Sequence, residues 1–555
     1  MSTLKSPDIA PTSSGLKRQI GFIGLMWASA GSIIGSGWLY GADKGLIQAG
    51  PAAIISWGIG AVAILVLALV HAELGGMYPI SGGTARFPHL AFGGVAGASF
   101  GWFSWLQAVT VSPIEVSAMI GYGATYVPFA KGWIRTDGTL TAPGIVAAIV
   151  IMLVFVVINF LSVRALANTN SAATWWKIGV PVLAILVLAI FNFHPGNFGA
   201  SNGFAPEGLK GIISAIPNAG IIFALLGFEQ ADQLAGESVN PKRDIPRAVI
   251  GSVVIGLVIY LALQVVFIGA IPQDKILGTW VATGNQFLTG PFALVATAAG
   301  IGWLATVLYI DAVISPGGTG LIYFTATSRV SFGLSKNGYF PKIFEATTSR
   351  GVPWFGLIIA WIFGCVCFLP FPSWQSLVGL ITSASVLMYA GAPLALGAFR
   401  KRIPEVERPY RLPAAHILSP IAFIIANEII LWSGWTTVWK LGICVIIGFI
   451  IIALNVLLKL NPTPVHLNWK SATWLFPYLI GMGLIVFLSD FNTDPTSGKP
   501  AGPQLIGFGW DILVVAIFSL IIYFWAINSA VSADTIRQMA DEQSLEAEEA
   551  TTALA

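Results

Sequence analysis

The sequence predicts an all-α polytopic membrane protein with about fourteen transmembrane helices, and three observations carry that expectation. Of 555 residues, 56% are hydrophobic and only 10% are charged, against about 25% charged in a soluble globular domain. So few charges cannot cover a water-soluble surface. The apolar residues also come in long blocks. About ten of these run for 18 residues or more with at most one or two ionisable side chains, enough for a helix to cross a ~30 Å hydrocarbon core. Finally, Lys and Arg alternate between successive loops as a threaded chain requires.

Spans are read near residues 20–48, 51–75, 93–126, 143–162, 172–193, 211–236, 247–271, 290–326, 353–371, 374–398, 416–434, 439–459, 472–489 and 508–528. With the N-terminus inside, about 20 Lys/Arg fall on cytoplasmic loops and tails and about 6 outside, the direction of the positive-inside rule. The basic inside clusters are Lys17-Arg18, Lys242-Arg243-Arg247, Arg329 to Arg350 and Arg400 to Arg411. An even count returns the C-terminus to the cytoplasm. Both termini of this multi-pass chain are therefore expected on the cytoplasmic side of the cell membrane. Residues 1–19 read as an N-terminal tail, 20–400 as ten spans, 401–528 as four additional spans and 529–555 as an acidic, solvated, partly helical tail. The first apolar segment is too long for a signal h-region and is expected to remain as a span. Many of the 20 Trp residues lie near segment ends, as an interfacial belt would place them.

Two spans break the helical pattern. The first contains Gly31-Ser32-Ile33-Ile34-Gly35-Ser36-Gly37 and the sixth Phe223-Ala224-Leu225-Leu226-Gly227-Phe228-Glu229. Each break lies roughly 20 Å of helical rise from the span's start, near the midplane. Interrupted helices in corresponding positions of two repeats point to a transporter's central site, because non-helical backbone at that depth is tolerated only where it is buried or lines a cavity. The alternative is that these glycines are small-xxx-small packing contacts. A broken helix exposes orphan backbone groups. The N–H groups of Gly35, Ser36 and Gly37 would start the outer half-helix and offer its positive dipole end to a carboxylate. The carbonyls of Phe223 and Leu226 would end the other outer half and suit an ammonium. Both together fit a zwitterion of amino-acid size. Glycine at 35 and 37 would let the ligand approach closely, and Phe223 and Phe228 would wall the site.

These motifs, with GESVNPKRDIPRA after the sixth span and SRVSFGLSKNGYFP after the eighth, resemble the amino acid–polyamine–organocation (APC) superfamily from about residue 17 to about 400. The resemblance implies a LeuT-type fold of two inverted five-helix repeats over 20–400, serving secondary active amino acid transport. The stretches LQVVFIGAIP, GWLATVLYIDAVISPGG and LPFPSWQSLVGL resemble the bacterial aspartate:proton symporter branch. The implied partners are an amino acid, a proton and the bilayer.

Ionisable groups inside a membrane are functional hypotheses by default. Lys177 lies in the fifth span. Proton-coupled relatives hold a lysine ammonium where sodium-coupled ones hold a sodium ion, between first-span carbonyls and an eighth-span hydroxyl, here expected to be Ser315. Such a lysine can trade a proton with substrate occupancy; the alternative is snorkelling to the interface. Glu115 in the third span, Asp311 in the eighth and Glu229 after the sixth-span break are candidates for relay, gating or substrate contact, against simple interhelical hydrogen bonds. Asp43 and Lys44 read as outer-vestibule charges, and His71 and Glu73 as interfacial.

Other classes lack their residues. There is no HExxH, Walker A or nucleophile elbow, so no catalytic residue is assigned. The first-span break has Ser and Gly but no metal ligands, which counts against a metal carrier. Cys365, Cys367 and Cys444 lack disulfide or zinc spacing. No cofactor is expected, and a net charge of +3 implies no nucleic-acid partner. An exchanger on the same fold remains the main alternative to symport.

Overall fold

Each predicted stretch falls on helix in the computed structural model, which describes residues 20–79, 83–161, 163–235, 238–348, 352–370, 372–463, 465–492 and 500–552. The N-terminal tail with Lys17-Arg18, residue Arg350 and the last three residues lie outside the described residues. Among the described residues extended backbone pairs only in isolated bridges, such as Ile20 with Ser238. Ten helices among the described residues are long and apolar enough to cross a membrane, and Phe22–Ile33 and Trp354–Cys367 are shorter apolar helices. Helix is what a bilayer demands of an open chain, since it satisfies every backbone group within the segment.

Burial sorts the spans. The third, Gly94–Tyr126, is buried almost from end to end, and it packs most extensively against the eighth, Gly302–Lys336. Its polar residues, among them Gln107, Thr110 and Glu115, therefore face protein rather than lipid. The fourth, Ala142–Leu161, exposes Val146, Val150, Leu153, Val154 and Val157, an apolar face for hydrocarbon. The eighth span departs from its predicted limits. Pro291–Ala298 is a separate helix, Gly300 turns the chain at φ 77°, and the long helix begins only at Gly302.

The two interrupted spans are interrupted in the structure. The first is a helix over Phe22–Ile33, three non-helical residues, and a helix over Gly37–Ala49. The sixth runs through Gly208–Asn218, bends at Gly220 (φ 82°), continues over Ile221–Ala224, and unwinds before a short helix at Gln230–Gln233. Gly227, at φ 118°, adopts a backbone that a side chain would strain.

Several charged residues near span ends differ from expectation. Glu73 is fully buried rather than interfacial. Arg400 grips it through two hydrogen bonds of 2.8 and 2.6 Å, Arg408 lies 3.1 Å away, and the Leu412 N–H donates to it at 2.7 Å. His71 is also fully buried, its ring against Phe228 and Tyr389. The acidic tail is not a free appendage either. It forms a helix over Ala533–Thr552, buries Ile536, and pairs Arg537 with Glu405 at 2.6 Å. Asp43, read as a vestibule charge, is fully buried beside Gly284.

Removing one partner from a buried ion cluster leaves the others uncompensated, at about 3–5 kcal/mol. Glu73→Ala should therefore lower the thermal midpoint of the purified protein far more than Lys242→Ala. The latter breaks a 3.5 Å pair more than half exposed on both sides, the kind of pair worth about 0–1 kcal/mol. Equal shifts in a thermal unfolding scan would show that the Glu73 cluster does not hold this end of the helices together.

Candidate functional site

The two interruptions touch. A Cβ placed on Gly37 would stand 2.7 Å from the Cβ and 2.8 Å from the Cα of Ala224, and one on Gly227 would stand 2.9 Å from the backbone of Ser32 and Ile33. Gly37 thus packs closely against the sixth span while also lining the cavity between the two breaks. Gly35 faces side chains instead: its Cβ would meet Glu115 Oε1 at 2.5 Å and Thr319 Oγ1 at 3.1 Å.

Between the breaks lies a narrow cavity of about 10 Å³, roughly what a single water needs and far below the ~300–1,000 Å³ of a ligand pocket, so a solute of amino-acid size requires the two breaks to move apart. The first span contributes Ser32, Ile33, Gly35 and Gly37, and the sixth Phe223 and Leu226. Val111 and Glu115 come from the third span, Thr319 and Tyr323 from the eighth. Three predicted wall residues lie elsewhere. Ile34 is fully buried behind the break. Phe228 stacks on Tyr389 at 4.9 Å, away from the cavity. Gly227 sits in the contact between the two breaks. The Phe223 carbonyl, expected to be unpaired, accepts from the Leu226 N–H at 3.2 Å.

Lys177 does not snorkel. Its side chain is buried, and Nζ donates to the Gly31 carbonyl and to Thr319 Oγ1, both at 2.6 Å. The ammonium thus ties the last turn of the inner first-span helix to the eighth span. The hydroxyl it reaches is Thr319, one helical turn beyond the expected Ser315. Ser315 instead donates to Asp311 Oδ1 at 2.6 Å, because residues four apart on a helix face one another. The indoles of Trp38 and Trp176 lie near the Asp311 carboxyl, and Asp311 Oδ2 has no hydrogen-bond partner among the described residues.

Glu115 occupies the place that the backbone reserves for an anion. Its Oε2 accepts the Ser36 N–H at 2.8 Å, at the start of the outer half-helix, where the orphan donors and the dipole favour negative charge. Its Oε1 has no hydrogen-bond partner among the described residues, and the Lys177 charge acts on it across Thr319. The Ile33 carbonyl, freed by the same break, accepts from Tyr260 at 2.8 Å. Glu229 is held otherwise. Tyr389 (2.6 Å) and the Gly227 N–H (2.9 Å) donate to one oxygen, Tyr323 and Gln107 (both 3.2 Å) to the other. With four donors it is the staple that fixes the sixth-span turn.

Thr319, Tyr323, Val111, Tyr260 and Trp374 take part without having been singled out in the sequence. For the first two a signal was present. Asp311, Ser315, Thr319 and Tyr323 recur every fourth residue, which places a polar stripe on one face of an apolar helix.

Comparison with known proteins follows the same lines. A family model described as "Amino acid permease" matches residues 20–476. The glutamate/serine transporter AimA of Bacillus subtilis is 35% identical over 531 residues, covering 94% of this chain and 96% of the relative. An aspartate-proton symporter from the same organism is 34% identical over 512 residues, covering 92% and 96%. Its branched-chain amino acid permease BcaP is 27% identical over 465 residues, covering 80% and 95%.

The glycine contacts can be tested directly. Gly37→Ala overpacks backbone against backbone and should destabilise the protein by about 1–3 kcal/mol. Adding Ala224→Gly vacates the opposing Cβ but leaves the Cα at 2.8 Å, so it should restore only part of that loss in a thermal unfolding assay. A Gly37→Ala protein as stable as the parent would show that the two breaks are not held in close contact at this point.

Proposed function

We propose that this chain, which belongs to the amino acid permease family of the APC superfamily, is an amino acid:proton symporter of the cell membrane with an acidic substrate, aspartate first among them. Its family is one of carriers rather than enzymes, and its substrate class is amino acids. The observation that carries proton coupling is Lys177, a buried cation bonded to both a first-span carbonyl and an eighth-span hydroxyl. A lysine there supplies the charge a sodium ion would otherwise bring, and unlike sodium it can lose that charge by giving up a proton. The choice of an acidic substrate is supported by the glutamate/serine and aspartate relatives.

In this reading residues 20–400 form the LeuT-type transport core, 401–528 an added helical layer, and the termini face the cytoplasm. The substrate carboxylate takes the Ser36 N–H, and its ammonium takes the free carbonyl edge near Leu226. Because Glu115 already accepts the Ser36 N–H, the arriving carboxylate must displace it. Two carboxylates crowded at one helix start cannot both stay charged, so a proton enters with the substrate and rests on Glu115. Lys177 senses the exchange through Thr319, which touches both its ammonium and the cavity. Loss of the Lys177 proton toward the cytoplasm would loosen the inner first-span helix from the eighth span and favour release; the proton on Glu115 then restores the ammonium as Glu115 returns to the Ser36 N–H, so one proton crosses per cycle. Asp311 and Ser315 set the field on the far side of Lys177, and Glu229 keeps the sixth-span turn in shape.

Uptake of radiolabelled aspartate into proteoliposomes should be driven by an inward proton gradient, need no sodium and collapse with a protonophore. Lys177→Ala should still bind aspartate yet lose gradient-driven accumulation. Strict sodium dependence, or full accumulation by Lys177→Ala, would overturn the coupling assignment. In competition, unlabelled aspartate, glutamate and serine should displace label more effectively than leucine. The reverse order would remove the acidic-substrate assignment and leave amino acid transport in place.

A further inference from the structure

One side chain that neither break supplies packs against both of them, behind the cavity-lining Phe223. Trp374 begins the tenth-span helix, Trp374–Tyr389, whose first turn is fixed by reciprocal hydrogen bonds between Ser373 and Ser376. Its indole is 5% exposed, and Nε1 donates to Ser36 Oγ at 2.9 Å. The ring stacks on Tyr40 at 5.1 Å and meets the edge of Phe223 at 5.9 Å. It also fills the space beside Gly220, where an added Cβ would stand 2.7 Å from Trp374 Cη2. One indole thus touches the first-span break at Ser36, the outer first-span helix at Tyr40, and the sixth span at Gly220 and Phe223. With the N-terminus cytoplasmic, the tenth span enters the membrane from outside, so its first residue stands on the outer side of the cavity.

We infer that Trp374 is the outer lid of the substrate site, latched shut by its hydrogen bond to Ser36. The chain just before it is pinned, since the Leu140 N–H donates to the Pro372 carbonyl at 2.7 Å. Opening is then a rotation of the indole away from Ser36 and Tyr40 rather than a movement of the helix. Ser36 carries both functions. Its N–H holds the anion position and its hydroxyl holds the lid, so an event at the anion position is felt at the latch. The orientation of the lid rests on the membrane topology proposed above, but not on the coupling ion or on the substrate.

The test uses the full chain with Cys365, Cys367 and Cys444 replaced and a single reporter, Val111→Cys, in the cavity wall. A membrane-impermeant methanethiosulfonate is added to right-side-out vesicles, and the labelling rate is read. Losing the latch costs the closed state one hydrogen bond, so Ser36→Ala and Trp374→Phe should each speed labelling about three- to ten-fold. Ser36→Ala keeps the backbone N–H and so leaves the anion position intact. Trp374→Ala also removes the Tyr40 stack and should add about another three- to ten-fold. Should Val111→Cys fail to fold, Ser32→Cys serves as the reporter. Equal labelling rates in all backgrounds would overturn the lid, as would acceleration only in inside-out vesicles. Failure of proton-driven uptake would instead overturn the coupling, and the labelling rates do not depend on that result.

Discussion

A peptide group inside a membrane has no water to turn to, and everything at the centre of this protein follows from that constraint. Two helices are interrupted there, and each freed backbone group must find a partner from another helix. Lys177 takes the Gly31 carbonyl, Tyr260 the Ile33 carbonyl, Glu115 the Ser36 N–H and Glu229 the Gly227 N–H. Ser29 both donates to the Phe228 carbonyl and accepts the Ala231 N–H, each at 3.1 Å. Burying such polar groups unpaired costs several kcal/mol apiece. The breaks and the polar side chains are therefore one structure, and neither is stable without the other.

That arrangement also explains why transport can be coupled. Lys177 interacts with both Glu115 and Asp311 in surroundings where charges are weakly screened. Adding an anionic group to the helix start changes the balance for all three at once. A carrier in water would absorb such a change in solvent. Here it must be met by a proton or by movement of a helix. Ser36 is the residue where the two routes cross, since Glu115 and Trp374 hold its two ends.

The parts of this design differ in how openly the sequence displays them. The breaks were legible because Gly and Ser clusters stand out in apolar runs, and Lys177, Glu115 and Asp311 because any charge there does. The partners were not, since pairing across the fold has no local signature. Trp374 reaches Ser36 across 338 residues, and Arg400 reaches Glu73 across 327. Glu73 and His71 looked interfacial from their place near a span's end, but tertiary packing buries them. Ser315 was named and Thr319 was not, because the helical phase of the eighth span could not be fixed to within a turn. Gly37 was read as room for a ligand, and nothing local in the sequence showed that Ala224 also packs against it. The long apolar stretches were open in the chain from the start, since they depend only on composition along it.

The central claim is that a substrate carboxylate and the Glu115 carboxylate compete for one helix start, and that a proton resolves the competition. Calorimetric titration of the purified protein with substrate, repeated at one pH in buffers of different ionisation enthalpy, counts the protons taken up on binding. The account predicts uptake of about one proton per substrate bound in the wild type, and none in Glu115→Gln, whose side chain is already neutral. Binding heats that do not vary with the buffer in the wild type, or equal proton uptake in both proteins, would contradict it.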